Sequence, residues 1–349
     1  MPAPKVLDDH VRFRCDDAAR EYAAVSLDCS PAVPGPRAFA RVDGRWELRL
    51  PRPALQRIEY RLELTRVGGR RETVVDPGNP ARVPTVFGER SVVEFPGYAA
   101  PAWLRGPATA GSYRALEVVG ETSVALPVTV WAPRESDDRE PLPLLLVHDG
   151  PEYDLYASIT RYSAALAAAG ALPAHRVALA QPVERDAWYS GSPRYLRTLV
   201  RAGLDQLTSA YATSGPIVVM GASLGGLTAL LAGLLGAPQV GGVFAQSGSF
   251  FQVRHDDDES GFRYFGRISR TVSAVLDARE AAHPLRIAMT CGSLEGNRSN
   301  NEDMAAALRR AGHDVTFETV PDLHNYTAWR DSLDPALTDL LRKCWGTTG

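Results

Sequence analysis

With 349 residues, 45% of them hydrophobic and 23% charged, the chain has the length of about two domains and a globular composition, which excludes a disordered or fibrous protein. A formal charge of −3 offers nucleic acid or acidic lipid no global attraction, so neither is an expected partner. Cys15, Cys29, Cys291 and Cys344 stand apart without CxxC spacing, which argues against a zinc site or a disulfide framework and leaves them as small buried hydrophobes in a reducing compartment.

The opening Met1-Pro2-Ala3-Pro4-Lys5-Val6-Leu7-Asp8-Asp9 lacks the apolar core of a signal peptide, and no run of about 18 apolar residues follows that would span a membrane. A soluble, cytoplasmic protein with no membrane partner is the expectation. From there to about residue 100 the apolar pattern has the period of strands. Val11-Arg12-Phe13-Arg14-Cys15 and Trp46-Glu47-Leu48-Arg49-Leu50 alternate. Ile58, Tyr60, Leu62 and Leu64 likewise alternate with Glu59, Arg61, Glu63 and Thr65, the pattern of a strand with one wet face. Gly68-Gly69 turns the chain back into Arg71-Glu72-Thr73-Val74-Val75 as a hairpin, and Asp76-Pro77-Gly78-Asn79-Pro80 closes the region with turn residues. Short strands between Pro- and Gly-rich turns predict a small antiparallel β-sandwich over residues 1–108.

Beyond a Pro/Gly-rich connection at 99–111 the period changes. Leu142-Pro143-Leu144-Leu145-Leu146-Val147, Arg176-Val177-Ala178-Leu179-Ala180, Ile217-Val218-Val219-Met220, Gly242-Val243-Phe244-Ala245 and Leu285-Arg286-Ile287-Ala288-Met289-Thr290 are short apolar runs, the signature of parallel strands buried on both faces. Helical stretches at 155–169 and 195–211 lie between them. Residues 109–349 therefore read as an α/β domain with a mostly parallel sheet. The acidic run Asp256-Asp257-Asp258-Glu259 reads as a solvated loop.

Within that domain, Gly221-Ala222-Ser223-Leu224-Gly225 follows a buried strand and leads into the helical Gly226-Leu227-Thr228-Ala229-Leu230-Leu231-Ala232. This is the strand, sharp turn and helix of the α/β-hydrolase nucleophile elbow, with Ser223 at its tip. A serine hydroxyl needs a base, itself oriented by an acid, and in this fold the chain order is serine, acid, histidine. Of the later histidines, His283 and His313 border a strand and a helix end and His255 adjoins the acidic run. His324 stands on a loop after Val315-Thr316-Phe317-Glu318-Thr319-Val320, where the sheet's carboxyl edge brings it over Ser223. Glu295, in the loop after the strand ending at Thr290, is the expected acid. Asp322 is a local competitor, and a Ser-His dyad is the third possibility. Ser299-Asn300-Asn301-Glu302 has the spacing of a helix capping box, which assigns Glu302 to a cap and adds Asp303 to the same helix N-terminus.

Oxyanion donors are expected from the backbone of Leu224 and from the loop His148-Asp149-Gly150-Pro151-Glu152. Pro151 has no N–H, so the second donor is Gly150 or Glu152, with Gly150 preferred. His148 and Asp149 precede the serine without partners at metal-ligand spacing. They read as structural, and neither a metal nor an organic cofactor is expected.

The elbow Met220-Gly221-Ala222-Ser223-Leu224-Gly225-Gly226-Leu227, the stretch Gln246-Ser247-Gly248-Ser249-Phe250-Phe251, the His148-Asp149-Gly150 loop and the terminal Asp322-Leu323-His324-Asn325-Tyr326-Thr327-Ala328-Trp329-Arg330 together resemble the enterochelin esterase family, within the wider esterase D group. The resemblance implies an α/β-hydrolase domain preceded by an immunoglobulin-like, early-set sandwich, and hydrolysis of a small-molecule ester, in that family a catecholate siderophore, in the cytoplasm. It implies Ser223 as nucleophile, His324 as base and then acid, and Glu295 as orienting acid. Arg185 matches a position near the substrate, where it holds an anionic catecholate or braces its loop. Trp188, Tyr189, Phe250, Phe251 and Trp329 stack on aromatic acyl groups or pack the core. Pro151 and the Phe250-Phe251 pair depart from the family's pattern. A serine carboxylesterase is the leading expectation. An acyltransferase of the same fold, and a non-catalytic glycan- or partner-binding protein on a degenerate hydrolase scaffold, are the alternatives.

Overall fold

The computed structural model describes residues 3–29, 33–122 and 124–346, so Met1 and Pro2 of the opening segment lie outside the described residues. The chain divides into two compact units, one of residues up to Ala99 joined by Pro321–Leu323, the other of Ala100–Val320 and the residues from His324 onward. The break falls ahead of the expected one at residue 108. Ala102–Leu104 already forms a turn of 3-10 helix whose Trp103 packs with the second unit's core.

The first unit holds β1 (Lys5–Val6), β2 (His10–Cys15), β3 (Tyr22–Asp28), β4 (Ala40–Val42), β5 (Arg45–Pro51), β6 (Arg57–Arg66), β7 (Arg71–Val74), β8 (Arg82–Val83) and β9 (Arg90–Glu94). One sheet has the order β1-β2-β5-β4 and the other β3-β6-β9-β8, with β7 paired on β6. Gly68 and Gly69, at φ +105° and +88°, make the β6–β7 turn in a region of backbone space that favours glycine. Phe13 of β2 meets Tyr60 of β6 edge to face, ring centroids 5.0 Å apart, so the apolar faces of the two sheets enclose one core. The closing turn forms as expected, with Asp76 Oδ1 accepting the Gly78 N–H at 2.8 Å.

The start of β6 departs from the expected wet face. Arg57 and Glu59 are buried and paired at 2.9 Å, and Arg57 Nε lies 2.9 Å from Asp322 Oδ2. Two carboxylates around one guanidinium keep its burial from stranding a charge.

The second unit carries β10 (Gly111–Val118), β11 (Leu126–Pro133), β12 (Leu144–His148), β13 (Arg176–Ala180), β14 (Ile217–Ala222), β15 (Val240–Gln246), β16 (Arg286–Gly292) and β17 (Asp314–Val320). Its helices are α1 (Gly150–Ala157), α2 (Ile159–Ala168), α3 (Arg185–Tyr189), α4 (Pro193–Arg197), α5 (Leu204–Ala210), α6 (Leu224–Gly236), α7 (Phe265–Leu276), α8 (Arg298–Arg310), α9 (Tyr326–Asp331) and α10 (Thr338–Trp345). The sheet has the order β10-β11-β13-β12-β14-β15-β16-β17. β10 and β11 are antiparallel to their neighbours and the rest are parallel. This is the sheet of an α/β-hydrolase, with apolar clusters on both faces.

The edge pair β10–β11 goes unpredicted because β10 is largely exposed and has neither alternation nor an apolar run. The helical stretch at 155–169 is two helices, broken where Ser158 adopts φ +55°. The stretch at 195–211 likewise contains a π-helical segment, Thr198–Gly203, between α4 and α5.

Register explains why distant residues converge. Val147 pairs with Met220, Ala222 with Gln246, Gln246 with Thr290, and Gly292 with Val320. The carboxyl ends of β12, β14, β15, β16 and β17 are thus level, and the loops leaving them share one edge, where ligands bind in open α/β sheets.

Two histidines under this scaffold couple stability to pH. Burial holds the folded-state pKa of His148 down at about 3 and that of His175 at about 4. An unfolded histidine takes up its proton near pH 6.5, whereas these stay neutral in the fold, so their contribution is complete above pH ~6.5 and declines as pH falls toward 4. The loss approaches about 1.4 kcal/mol per pH unit for each histidine. The urea midpoint should therefore fall between pH 7.5 and 5, with a shallower slope in His148→Leu. A midpoint flat over that range would contradict the assignment of both as neutral.

Candidate active site

β14 ends at Ala222, and Ser223 adopts φ +57° and ψ −125° before α6 begins at Leu224. Such a conformation is costly for a non-glycine residue and persists because its surroundings over-determine it. Ser223 N–H donates to Gln246 C=O at 2.9 Å, and Ser223 C=O accepts from Gly226 and Ser249 N–H, each at 3.0 Å. Gly221 is a steric requirement, and Gly226 is tightly packed. A Cβ on Gly221 would run into the Gly225 backbone, and one on Gly226 would sit 3.2 Å from Gln246 O. Gly221→Ala should cost on the order of 1–3 kcal/mol by overpacking. A melting temperature equal to wild type would show that the elbow has more room than this.

His324 follows β17 by four residues, and its Nδ1 lies 2.7 Å from Glu295 Oε2. Glu295 is almost wholly buried, and its other oxygen accepts Ser247 Oγ–H and Gly292 N–H, both at 2.7 Å. Three partners hold one carboxylate, so it is fixed as an acceptor for the imidazole N–H. Asp322, the competing acid, accepts Leu323 N–H at 2.7 Å and reaches Arg57 within the first unit. The carboxylate on His324 is Glu295.

Trp329 of α9 buttresses this pair. Its ring meets His324 edge to face at 5.0 Å, and its Nε1–H donates to Ser247 Oγ at 3.0 Å.

On the other side of β14, the loop after β12 is held at several points. Asp149, at φ +52°, receives a two-pronged ion pair from Arg185, Nε at 2.8 Å and an Nη at 2.7 Å. Its N–H donates to Tyr189 Oη at 3.1 Å, and its C=O accepts Tyr153 N–H at 2.9 Å. Gly150 follows with no space for a Cβ, which would collide with the Leu179 backbone. Tyr153 Oη donates to Gln246 Oε1 at 2.8 Å, and Gln246 Nε2 donates to Trp329 O and Ser332 Oγ. A buried polar chain therefore runs from α1 to α9. His148 is fully buried with its pKa pushed down to about 3, which keeps it neutral and outside the acid-base chemistry.

Several expectations change against this geometry. Of the two readings of Arg185, the ion pair with Asp149 favours bracing of the loop. Phe250 is wholly buried and Trp188 nearly so, stacked on Tyr195 at 5.1 Å, so both are packing residues rather than a ligand wall. Phe251 and Trp329 keep only a small exposed fraction. The capping box at Ser299 does not form. α8 begins at Arg298 after Asn297, Glu302 pairs with Arg298 at 2.8 Å, and Asp303 engages Arg254, His255 and Gln252. In the acidic run only Asp256 is buried, held by Asn300 Nδ2 and Gln252 N–H. His313 is structural, its Nδ1 accepting Leu285 N–H at 3.1 Å.

Residues to which the sequence alone assigns no role in the site complete it: Gln246, Ser247, Ser249, Tyr153, Asn297 and Asn301. Gln246, Ser247 and Ser249 carry one local signal, polar residues at the end of the buried strand β15, and Tyr153, Asn297 and Asn301 carry none.

The family model described as "Putative esterase" matches residues 121–340. No curated protein matches the chain in sequence. Among solved structures, the ferric enterobactin esterase of Salmonella typhimurium superposes with a TM-score of 0.76 at 18% identity, over 98% of this chain and 96% of that one. The enterobactin esterase of Shigella flexneri, crystallised in the presence of enterobactin, gives 0.75 at 20% identity over 98% and 96%. A ferulic acid esterase gives 0.56 at 18% identity over 67% of this chain and 98% of its own. At these identities the likeness is one of fold.

Proposed function

The chain belongs to this esterase family, and from that premise we propose that it is a serine carboxylesterase working through an acyl-enzyme on Ser223. The observation that carries the proposal is the strained Ser223 elbow sharing one sheet edge with a His324 whose Nδ1 meets a buried, triply held Glu295 at 2.7 Å.

The roles follow from the bonding. Glu295 accepts the Nδ1–H, which leaves Nε2 as the basic nitrogen. His324 removes the Ser223 proton as Oγ adds to the ester carbonyl, and the carbonyl electron pair moves to oxygen. The N–H groups of Leu224 and Gly150 receive that oxyanion, the first from the N-terminus of a 13-residue helix. Collapse breaks the bond to the alcohol oxygen, which takes the proton from His324. Water, deprotonated by the same imidazole, then adds to the acyl carbon; collapse breaks the acyl C–Oγ bond and releases the acid, and Oγ takes the proton back from His324.

For the substrate, the enterobactin esterases that match 98% of the chain support a catecholate trilactone as the ester to test first. Arg185 contributes by fixing the Asp149–Gly150 loop. Cys15, Cys29, Cys291 and Cys344 are free thiols, which supports action in the reducing cytoplasm.

Hydrolysis of p-nitrophenyl esters of increasing acyl length, alongside the trilactone, tests the proposal. A burst of p-nitrophenol followed by a slower steady state is the expected trace. Wild-type protein that is inert toward every ester in the series would remove the enzymatic reading.

A further inference from the structure

The loop leaving β15 carries a hydroxyl that the triad does not use. Ser249 Oγ lies 3.3 Å from Ser223 Oγ, and Ser249 is buried. The Ser249 backbone is held without that hydroxyl. Its N–H donates to Ser223 C=O at 3.0 Å, and Gly248 N–H donates to Asn301 Oδ1 at 2.9 Å. Gly248 C=O accepts from Asn301 Nδ2 at 3.0 Å and Asn297 Nδ2 at 3.3 Å. Ser247, one step earlier, takes φ +48° and ties the loop to Glu295. The hydroxyl is therefore presented to the nucleophile by a clamped backbone, and removing it leaves these backbone ties in place.

From this geometry we infer that Ser249 is a further catalytic residue, whose hydroxyl donates a hydrogen bond to Ser223 Oγ. The inference rests on Ser223 being the nucleophile. A serine oxygen has one proton and two lone pairs. With one lone pair occupied by Ser249, the Ser223 proton is directed to His324 and the remaining pair to the carbonyl carbon. In acylation the Oγ–C bond forms with that pair, the proton goes to the imidazole, and the carbonyl pair goes to the oxyanion. In deacylation the acyl C–Oγ bond breaks and its electron pair returns to Oγ. Oγ then takes the proton back from His324 while Ser249 supports the departing oxygen. The 3.3 Å separation is long for a hydroxyl pair, and catalytic hydrogen bonds tighten once the substrate is bound.

Pre-steady-state hydrolysis of p-nitrophenyl acetate by wild type, Ser249→Ala, Ser249→Thr and Ser223→Ala tests this. Ser249→Ala should lower the acylation and deacylation rate constants roughly tenfold, the scale of one hydrogen bond, with unchanged substrate affinity and melting temperature. Ser249→Thr should recover most of both rates. Wild-type rate constants in Ser249→Ala, with the burst abolished in Ser223→Ala, would overturn the role of Ser249 and keep that of Ser223. Equal rate loss in Ser249→Thr with a lowered melting temperature would reduce Ser249 to packing, which also overturns it. A burst that survives in Ser223→Ala would remove the premise itself.

Discussion

Ser223→Ala should lower kcat/KM for an activated ester by about 10⁴–10⁶-fold, the range seen when a serine hydrolase loses its nucleophile. The loss should fall on kcat, because the side chain removed is the one proposed to form the covalent bond. The fold should survive. The ties that hold the elbow, to Gln246, Gly226 and Ser249, are made by the Ser223 backbone. Alanine keeps all of them, although it occupies the same strained φ of +57°. A melting curve beside the kinetic trace separates chemistry from folding. If the variant melted at the wild-type temperature and retained the burst, Ser223 would be a structural residue at the tip of a tight turn.

The second large effect distinguishes two carboxylates close to His324. Glu295→Gln should cost about 10²–10⁴-fold in kcat, since an amide in place of the acid can select the wrong imidazole tautomer and no longer stabilises the imidazolium. Asp322→Asn should leave turnover per folded molecule nearly unchanged. Its expected cost is in stability, about 3–5 kcal/mol for breaking a buried ion pair, because Arg57 is buried and would keep Glu59 alone of these two carboxylates. Turnover at fixed folded fraction, read with urea midpoints, checks both expectations. The reverse ranking would transfer the orienting role to Asp322 and leave Glu295 as the buttress of Ser247.

Much of this arrangement is legible in the sequence for definite reasons. β12 to β16 are buried on both faces, and such strands read as continuous apolar runs, whereas the exposed edge strand β10 offers no pattern. Ser223 is announced by glycines that the geometry requires, and chain order then limits the choice of acid and base. Ser247, Ser249, Asn297 and Asn301 stay hidden because their partners are distant in sequence and lie on other elements. Hydroxyls and amides carry no periodic signature. Trp188, Phe250 and Arg185, for which the sequence leaves two readings open, illustrate the complementary limit. Residue type alone does not distinguish an aromatic that lines a pocket from one that fills a core, nor a free cation from one held by Asp149. Asn297 and Glu302 show the same for helix ends, where a capping-box spacing is present but α8 begins after Asn297 and uses Glu302 to pair with Arg298.

The central claim is that an acyl group rests on Ser223 during turnover. Rapid acid quenching of the protein during hydrolysis of p-nitrophenyl butyrate, followed by intact mass and chymotryptic peptide mapping, which separates Ser223 from Ser249, tests it most directly. The expected result is one added butyryl group on the peptide containing Ser223, absent from Ser223→Ala. Hydrolysis without any trapped adduct in the burst phase, or an adduct on the peptide containing Ser249, would contradict it.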